Sequence, residues 1–364
     1  MQEIRLRSIS RKDGMDTTML VLLTGAGGFV GHHTLAHLLK TTDWDIVATD
    51  SFRHFGISAR IRAVFEELPH EVSRVKVVTH DLTTPIDAIT AKEFGNPDVI
   101  INMASDSHVD RSITDPRPFV ENNVALVLTL FEYARTLPNL KTFIQIGTDE
   151  VYGPAPEGVN HPEWSPQVPS NPYSASKSAQ EAIAISYWRT FNVPVILTNT
   201  MNIIGERQDV EKFVPLIINS LQQGNPVPVH AVEKNSHWIS GSRFYLHARN
   251  QADALRFLIT HFVNTPHKYT DGLERPERFN VRGETEISND EMVVLIAEFL
   301  GISKSKSELV KFINVEGTRP GHDLRYALNG DKLLGMGWKP PVAFEKSLER
   351  TVNWTVKNPI WISL

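Results

Sequence analysis

Two side chains that could exchange protons with a substrate alcohol stand four positions apart, at Tyr173 and Lys177. Because this spacing places residues one turn apart on the same face of a helix, they would lie side by side. The charge of Lys177 would favour the tyrosinate form of Tyr173, and its ammonium could hold the ribose of a nicotinamide nucleotide. Tyr173 could then take the proton of the alcohol while hydride leaves for the cofactor. The pair is common by chance, so its meaning depends on neighbouring motifs.

A second group consists of a hydroxyl and two adjacent carboxylates at the end of a predicted strand: Thr148, Asp149 and Glu150. Adjacent carboxylates repel each other, and in a closed cleft this repulsion can drive their proton affinities apart. One carboxyl group then serves as an acid and the other as a base. The triplet therefore indicates a reaction that both donates and removes protons, and the alternative is a solvated acidic loop.

A glycine-rich turn supplies the context for both groups, in the order Gly25-Ala-Gly-Gly28-Phe-Val-Gly31. The turn follows a predicted strand and opens a predicted helix, as a dinucleotide-binding motif requires. Gly25 would allow the tight turn, Gly28 the approach of a pyrophosphate, and Gly31 the close packing of helix on strand. The helix N-terminus would offer N–H groups and positive dipole to the phosphates. The alternative is an ordinary glycine turn.

Two acidic residues at the ends of the next predicted strands specify the nucleotide further. Asp50 could accept both hydroxyls of the adenosine ribose, and Asp81 could accept from the adenine amino group. A carboxylate at Asp50 would repel a 2′-phosphate, which favours NAD over NADP. Arg53 lies nearby and weakens that preference.

The elements that must position these residues alternate between apolar runs and helical spacing up to about residue 205. The predicted strands are 19–24, 45–49, 75–78, 99–102, 142–146 and 193–198, with helices at 34–40, 119–136 and 174–190. This alternation predicts an α/β fold with a doubly wound parallel sheet of the Rossmann type. Helices at 213–221, 250–262 and 290–300 lie among Pro-, Gly- and His-rich loops and predict a smaller C-terminal α/β lobe.

The expected domains are an N-terminal arm at 1–18, a Rossmann domain at 19–205 to which later segments can return, and a substrate lobe at 206–364. The arm carries basic residues without an apolar stretch behind them, so we expect it to be disordered and not a signal peptide. No window approaches the length of a membrane span.

Composition excludes several classes of function. The chain has 364 residues, 41% apolar and 22% charged, with a formal net charge of −5, which gives no bulk attraction to nucleic acid or to an anionic membrane. It contains no cysteine, which excludes disulfides and thiolate metal sites and is compatible with a cytoplasmic location. The fourteen histidines form no metal-ligand motif such as His-Glu-x-x-His, so we expect no metal. The neighbouring His32 and His33 are expected to face solvent or the helix end.

The glycine pattern, Thr148 and the Tyr173–Lys177 pair resemble the extended short-chain dehydrogenase/reductase family. The sequence Thr148-Asp149-Glu150-Val-Tyr-Gly narrows the resemblance to the dTDP-glucose 4,6-dehydratase family, since sister families usually carry Ser where Asp149 stands. Further segments that resemble this family are 104–113 (ASDSHVDRSI), 211–215 (EKFVP) and 319–326 (RPGHDLRY). The similarity runs from residue 21 to about residue 338, which is nearly the whole chain.

The resemblance implies an NAD-dependent lyase that forms a 4-keto-6-deoxy sugar. Tyr173 takes the proton of the sugar 4-hydroxyl while hydride moves from C4 to NAD⁺, and Thr148 bonds the 4-oxygen. The new ketone acidifies C5, so that Glu150 can remove its proton while Asp149 protonates the departing 6-hydroxyl. Hydride then returns to C6 and a proton to C5, so a resident NAD ends each cycle oxidised.

Motifs and resemblance together assign two sets of site residues. The cofactor set is Gly25, Gly28, Phe29, Val30, Gly31, Asp50, Asp81, Leu82, Ala104, Ser105, Asn122, Tyr173 and Lys177. The substrate set is Ser107, His108, Thr148, Asn202, Lys212, Phe213, Arg243, Asn289, Arg319 and His322. Arginine suits a diphosphate because its planar fork matches phosphate oxygens. The alternative for any one of the nucleotide-binding residues is a surface charge or a cap.

Several positions depart from the family pattern. Ile203 stands where the family has an amide, Glu206 where it has proline, and Asp106 where it has glutamate. The segment 230–243 is longer than the expected short loop and lacks the usual Asp-Trp after its arginine. Because these changes cluster in the lobe that would read the nucleotide, the base of the substrate stays open.

The competing hypotheses are a dehydratase or epimerase of UDP-, CDP- or GDP-sugars, and a catalytically silent NAD-bound sensor or scaffold. The five intact residues of the Thr148 triplet and the Tyr173–Lys177 pair argue against the silent protein. The helices at 119–136 and 174–190 correspond to a pair that forms a four-helix dimer interface in the family, so we expect a homodimer. Apolar positions that could supply its face are Val124, Val127, Leu128, Ile183 and Tyr187.

Overall fold

A computed structural model describes residues 18–54, 56–265, 274–315 and 324–362. In these ranges the strands are β1 (Leu20–Thr24), β2 (Asp45–Asp50), β3 (Val75–Thr79), β4 (Val99–Asn102), β5 (Thr142–Thr148), β6 (Val195–Thr200), β7 (Ile203–Ile204), β8 (Val227–Lys234), β9 (His237–Ser240), β10 (Ser242–Arg243), β11 (Leu246–His247), β12 (Glu277–Val281), β13 (Ile287–Ser288) and β14 (Val310–Asn314). The α-helices are α1 (Phe29–Thr41), α2 (Ile57–Glu67), α3 (Ala88–Phe94), α4 (Val109–Thr114), α5 (Pro116–Ala134), α6 (Pro172–Phe191), α7 (Phe213–Gln222), α8 (Ala248–Phe262), α9 (Asn289–Phe299), α10 (Lys306–Leu309), α11 (Asp331–Gly335) and α12 (Phe344–Lys357).

The central sheet has seven parallel strands in the order β12-β6-β5-β4-β1-β2-β3. Strand order reverses between β1 and β4, so the loops after these two strands leave in opposite directions and open a crevice at the carboxyl edge. Ligands of doubly wound sheets bind at such a reversal. The predicted fold class, a doubly wound Rossmann sheet with a smaller lobe, is confirmed.

Both faces of the sheet are covered, as a parallel sheet requires. Every residue of β1 is buried, which explains why this strand reads as a continuous apolar run and not as an alternating one. Helices α1 and α8 cover one face through residues such as Leu35 and Leu258. Helices α5 and α6 cover the other, where Phe131 stacks on Phe143 with ring centroids 4.2 Å apart.

The predicted strands of the first half are all present, but the sequence did not reveal the seventh. Strand β12 follows the smaller lobe in the chain and pairs with β6, so residues after 205 do return to the large sheet. The smaller lobe contains the sheet β14-β8-β9 and the two-stranded pairs β10-β13 and β11-β7. Its core includes Ile217 and Ile218 of α7 and Met292 of α9.

The longer segment predicted as a loop at 230–243 is a hairpin. Strands β8 and β9 pair antiparallel, and Asn235 and Ser236 form the two-residue connection with φ of 49° and 59°. Left-handed backbone at both central residues matches the twist of the flanking strands. Of the predicted N-terminal arm, residues 1–17 lie outside the described residues. Within the described ranges, no helix is both long and apolar enough to cross a membrane.

Candidate active site

One cleft of about 1440 Å³ opens between the carboxyl edge of the large sheet and the smaller lobe. Every predicted site residue within the described ranges lines it, both those assigned to a cofactor and those assigned to a substrate. Arg319 and His322 lie outside the described residues. Residues from both halves of the chain thus meet in a single cavity, and their individual roles stay predictions.

The glycine turn lies at one end of this cleft, where β1 ends. Gly25 has a φ of 63°, and a Cβ on Gly31 would stand 1.9 Å from the carbonyl oxygen of Gly25, so no larger residue fits there. Helix α1 begins immediately after this turn, with Gly28 as its N-cap, and neither a side-chain cap nor an acidic first-turn residue occupies its start. An uncapped, glycine-walled helix N-terminus fits a pyrophosphate. The residues present therefore suit NAD.

The collision at Gly31 makes a testable prediction. We expect Gly31→Ala to weaken NAD⁺ binding by roughly tenfold or more, because forcing a methyl group against backbone costs about 1–3 kcal/mol. The measurement is the nucleotide released from purified protein, together with the affinity of the stripped protein for NAD⁺. Gly335→Ala is the matched control, since no heavy atom lies within 4 Å of a Cβ at Gly335 in α11. Normal NAD content in the Gly31 variant would refute the placement of the pyrophosphate.

The adenosine end of the cleft is bounded by Asp50, whose carboxylate accepts from the backbone N–H of Gly27 at 3.1 Å and of Phe52 at 3.2 Å. Arg53 does not pair with Asp50. Its guanidinium lies 3.1 Å from Asp81 and donates to the Asn122 side chain at 3.0 Å. Arg53, the cation that weakened the preference for NAD, is therefore engaged by two other predicted cofactor residues and not by Asp50.

Tyr173 and Lys177 lie at the start of α6, which Asn171 caps with its side chain. Lys177 donates to the carbonyl of Ile146 at 2.8 Å and to the side-chain oxygen of Gln180 at 2.6 Å. Burial lowers the pKa of Lys177 to about 8, and nearby Glu181 opposes the shift. The ammonium is thus fixed against the end of β5.

The Tyr173 phenol is buried, and burial raises its pKa well above the usual range, with further increases from the charges of Glu150 and Asp149. A hydrogen bond with Thr148 opposes that rise. In the protein alone the phenol is therefore protonated at neutral pH. A positive charge in the cleft in addition to that of Lys177 would favour the tyrosinate.

The acidic triplet begins where β5 ends. Thr148 donates from its hydroxyl to one oxygen of Asp149 at 3.0 Å, and Asn171 donates to Glu150 at 3.1 Å. The other Asp149 oxygen is buried without a hydrogen-bond partner among the described residues. Burial raises the pKa of Asp149 to about 7, the Glu150 charge adds to the rise, and Arg243 opposes it. Asp149 can thus carry a proton near neutral pH, as an acid must.

Several contacts between the two lobes lie along the same cleft. Glu211 of the smaller lobe pairs with Arg111 at 2.6 Å and lies 3.3 Å from the imidazole of His108. Lys212 donates to the carbonyl of Ser107 at 3.4 Å. Two predicted substrate residues next to the large sheet, Ser107 and His108, therefore face Lys212, a predicted substrate residue of the smaller lobe.

The lining contributed by the smaller lobe combines charge with aromatic surface. The Arg243 guanidinium is buried and stands 4.5 Å from the ring centre of Tyr326. Tyr245 donates to the side chain of Asn289 at 3.0 Å. Phe213 and Asn202 line the same region. A cationic fork beside aromatic rings suits a nucleotide diphosphate.

Sequence analysis missed several residues that line the cleft, namely His54, Arg60, Pro228, His230, Tyr245, Ile313 and Trp361. Most come from elements distant in sequence, such as β8 and β14, where His230 pairs with Ile313. The departure at segment 230–243 was the available indication, because His230 begins it. Trp361 follows α12 and had no local motif.

The departure at Glu206 also has a structural explanation, and it corrects the expectation for the histidine pair. His32 and His33 do not face solvent, since they are 1% and 6% exposed. The His33 ring lies 2.9 Å from the carbonyl of Glu206, whose carboxylate pairs with His247 at 3.0 Å and Arg350 at 2.7 Å. A buried hydrogen-bonded cluster around Glu206 therefore joins α1 to the smaller lobe, and burial lowers the pKa of both His33 and His247. In the described ranges, no group of three or more His, Asp or Glu side chains is arranged to hold a metal ion.

Residues 21–281 match the sequence model of the NAD dependent epimerase/dehydratase family. A dTDP-glucose 4,6-dehydratase of Salmonella typhimurium is 30% identical, over 95% of each chain. The crystal structure of DesIV, a dTDP-glucose 4,6-dehydratase of Streptomyces venezuelae with NAD bound, has a TM-score of 0.79 at 28% identity, covering 94% of this chain and 98% of that one. The crystal structure of UDP-glucose 4-epimerase from Thermus thermophilus in complex with NAD has a TM-score of 0.75 at 25% sequence identity, covering 92% of this chain and 98% of that one.

Proposed function

Because the chain belongs to the NAD dependent epimerase/dehydratase family, we propose that it is a nucleotide-sugar 4,6-dehydratase that converts dTDP-glucose to the 4-keto-6-deoxy sugar. The observation that carries this proposal is the buried Asp149, with a pKa of about 7, beside Glu150 and in one cleft with Tyr173. Dehydration needs an acid for the departing hydroxyl and a base for a carbon-bound proton, and the paired carboxylates supply both.

Each residue of the site has a defined task in this reaction. Tyr173 accepts the proton of the 4-hydroxyl, and Thr148 holds the 4-oxygen while Lys177 stabilises the tyrosinate. NAD, when bound, stores the hydride of C4 and makes its return to C6 possible. Once C4 is a ketone, Glu150 removes the C5 proton and Asp149 protonates the leaving 6-hydroxyl.

The epimerase alternative uses less of this site. Epimerisation at C4 requires proton exchange with the 4-oxygen but expels no hydroxyl, so it does not need Asp149 as an acid. A buried carboxyl without such a task would be costly to retain. The geometry at Asp149 therefore favours dehydration, although structures of epimerases share the fold.

Binding of the nucleotide falls to the smaller lobe in this proposal. Arg243, Lys212 and Asn289 hold the diphosphate and nucleoside, joined by Asn202 and Phe213, while Arg319 and His322 keep the role that the resemblance implies. Residues 19–205 together with β12 bind NAD. The cysteine-free composition is compatible with a cytoplasmic site of action.

A panel of NDP-hexoses tests the substrate. We expect dTDP-glucose to give the alkali-induced absorbance of a 4-keto sugar, and UDP-, CDP- and GDP-glucose to give much less. Turnover of UDP-glucose without turnover of dTDP-glucose would refute thymidine specificity while leaving dehydration intact. If the protein binds NAD and consumes none of these sugars, the silent-protein hypothesis replaces the enzyme.

We further propose a homodimer through the outer surfaces of α5 and α6. Of the expected interface positions, Val127 and Tyr187 pack into the protomer's own core, while Leu128 is 45% exposed and Val124 and Ile183 are partly exposed. Val120 and Phe191 add exposed apolar surface on the same two helices. Pairing this face with its copy would form a four-helix interface.

Charge placed on this face should separate the protomers. We expect Leu128→Glu to sediment as a monomer at micromolar concentration, whereas the unaltered protein sediments as a dimer. Leu334→Glu is the control, because Leu334 is 48% exposed on α11, away from this surface. A monomeric unaltered protein would overturn the proposal.

A further inference from the structure

Glu181 lies on α6, one helical turn beyond Lys177 and two turns beyond Tyr173, so the three side chains follow one face of the helix. Its side chain is 1% exposed. A carboxylate buried this deeply is destabilising unless donors surround it. Its partners therefore indicate why it is there.

Three donors from separate parts of the chain reach the Glu181 carboxylate. Arg278 donates at 2.8 Å and Asn199 at 2.6 Å, and the amide of Gln167 donates to the oxygen that Arg278 contacts. Arg278 comes from β12, is 2% exposed, and lies 4.2 Å from the ring centre of Trp164. Burial raises the pKa of Glu181, and the Arg278 charge opposes the rise. The surroundings thus support an ionised carboxylate in a dry setting.

Asn199 connects this carboxylate to the catalytic turn. Its side-chain amide donates to Glu181 and also to the backbone carbonyl of Thr148, at 3.1 Å. Its own oxygen accepts from the Tyr152 hydroxyl at 3.1 Å, so the amide cannot rotate freely. The position of the Thr148 backbone is therefore linked to the Glu181 charge through one fixed side chain.

The same carboxylate acts on Lys177. Burial drives the pKa of Lys177 down, and Glu181 is the charged group that opposes this shift. The charges that act on the neighbouring Tyr173 are those of Asp149 and Glu150, which follow β5. The counter-charge to Lys177 thus comes from its own helix and is anchored from β12.

We propose that Glu181 is a positioning residue of the active site: anchored by Arg278, it keeps Lys177 charged and holds the Thr148 backbone in place. The inference rests on the proposed function only for its kinetic consequence. The effect of Glu181 on the charge of Lys177 involves only residues of this chain and does not depend on the substrate.

The test is an NMR titration of Lys177 in protein labelled at lysine Cε, with the resonance assigned by its loss in Lys177→Met. Because removing a negative charge favours the neutral amine, we expect the pKa of Lys177 to fall by about one unit in Glu181→Gln. That variant leaves Arg278 buried and unpaired, so E181Q/R278M supplies a second version without the stranded cation. E181D, which keeps the negative charge, should restore the pKa of Lys177 to its value in the unaltered protein. Glu277→Gln is the matched control, since Glu277 neighbours Arg278 on β12 and pairs with Lys332.

Kinetics then separate the two levels of the proposal. The step to follow is cofactor reduction, which Tyr173 and Lys177 serve, and not overall turnover. The high-pH limb of its single-turnover rate should move to lower pH together with the pKa of Lys177 in E181Q and, to a smaller extent, in E181Q/R278M, and stay unchanged in E277Q. An unchanged pKa of Lys177 in both E181Q and E181Q/R278M overturns the role of Glu181, even when dTDP-glucose is consumed. A lowered pKa in a protein that consumes no NDP-sugar supports the electrostatic role and refutes the proposed function.

Discussion

Replacing Tyr173 with phenylalanine is expected to prevent any reduced cofactor from forming on addition of dTDP-glucose. In the proposed reaction, removal of the 4-hydroxyl proton is the first chemical step, and the tyrosinate of Tyr173, next to Thr148, accepts this proton. General base catalysis of this kind contributes roughly 10²- to 10⁴-fold, so turnover should fall by at least that range. Single-turnover absorbance at the wavelength of NADH measures the step directly.

Tyr133→Phe provides the control for loss of a buried phenol. The Tyr133 hydroxyl donates to the carbonyl of Gly95 at 2.6 Å, in the core behind the large sheet and not in the cleft. Its variant should lose some stability and keep its rate of cofactor reduction. If Tyr173→Phe still reduces NAD⁺ at the unaltered rate, another residue is the base and the assignment at α6 is wrong.

Asp149→Asn is expected to stop the reaction one step later. Oxidation at C4 should proceed, but an amide cannot protonate the departing 6-hydroxyl, so enzyme-bound NADH should accumulate while kcat falls by roughly 10²-fold or more. The variant thus has the opposite spectroscopic outcome to Tyr173→Phe. Full turnover by Asp149→Asn would refute Asp149 as the acid.

The pH dependence follows from the same carboxyl group. Burial raises the pKa of Asp149 to about 7, so its protonated fraction decreases as pH rises through that value. When elimination limits the rate, turnover should fall about tenfold per pH unit above neutrality, because only the protonated form is active. Asp149→Asn should not show this decrease in turnover above neutrality.

Glu150→Gln distinguishes the acid from the base. Glu150→Gln and Asp149→Asn should both accumulate NADH. Only Asp149→Asn retains Glu150, the proposed base that exchanges the C5 proton with solvent. Deuterium should therefore enter C5 in Asp149→Asn and stay out in Glu150→Gln. Exchange in both variants would mean that another group removes the C5 proton.

Local patterns were sufficient to predict the Rossmann half of the fold. Continuous apolar runs mark strands buried on both faces: the glycine turn follows β1 directly, and Asp50 is the last residue of β2. Asp81 lies two residues beyond β3, an edge strand that is only partly buried. The positions where strands end then place the candidate residues at one edge of the sheet. The triplet and the Tyr173–Lys177 pair were found because all their members are neighbours in sequence.

The parts of the fold and of the site that the sequence did not predict depend on contacts between residues far apart in the chain. Local residue spacing does not encode such contacts. Arg278 reaches Glu181 only because β12 returns to pair with β6. His33 is buried because Glu206 and His247, from the other lobe, pack against α1. Similarly, His230 joins the cleft through the pairing of β8 with β14.

The most direct test of the central claim follows the hydride itself. With dTDP-glucose deuterated at C4, the account predicts that deuterium leaves C4 and appears at C6 of the 4-keto-6-deoxy product, without added NAD⁺ being consumed. Proton and deuterium NMR of the product locate the label. Deuterium that returns to C4 would identify an epimerase, and deuterium that accumulates in released NADH would identify a simple dehydrogenase. Either result would contradict a dehydratase with a resident cofactor.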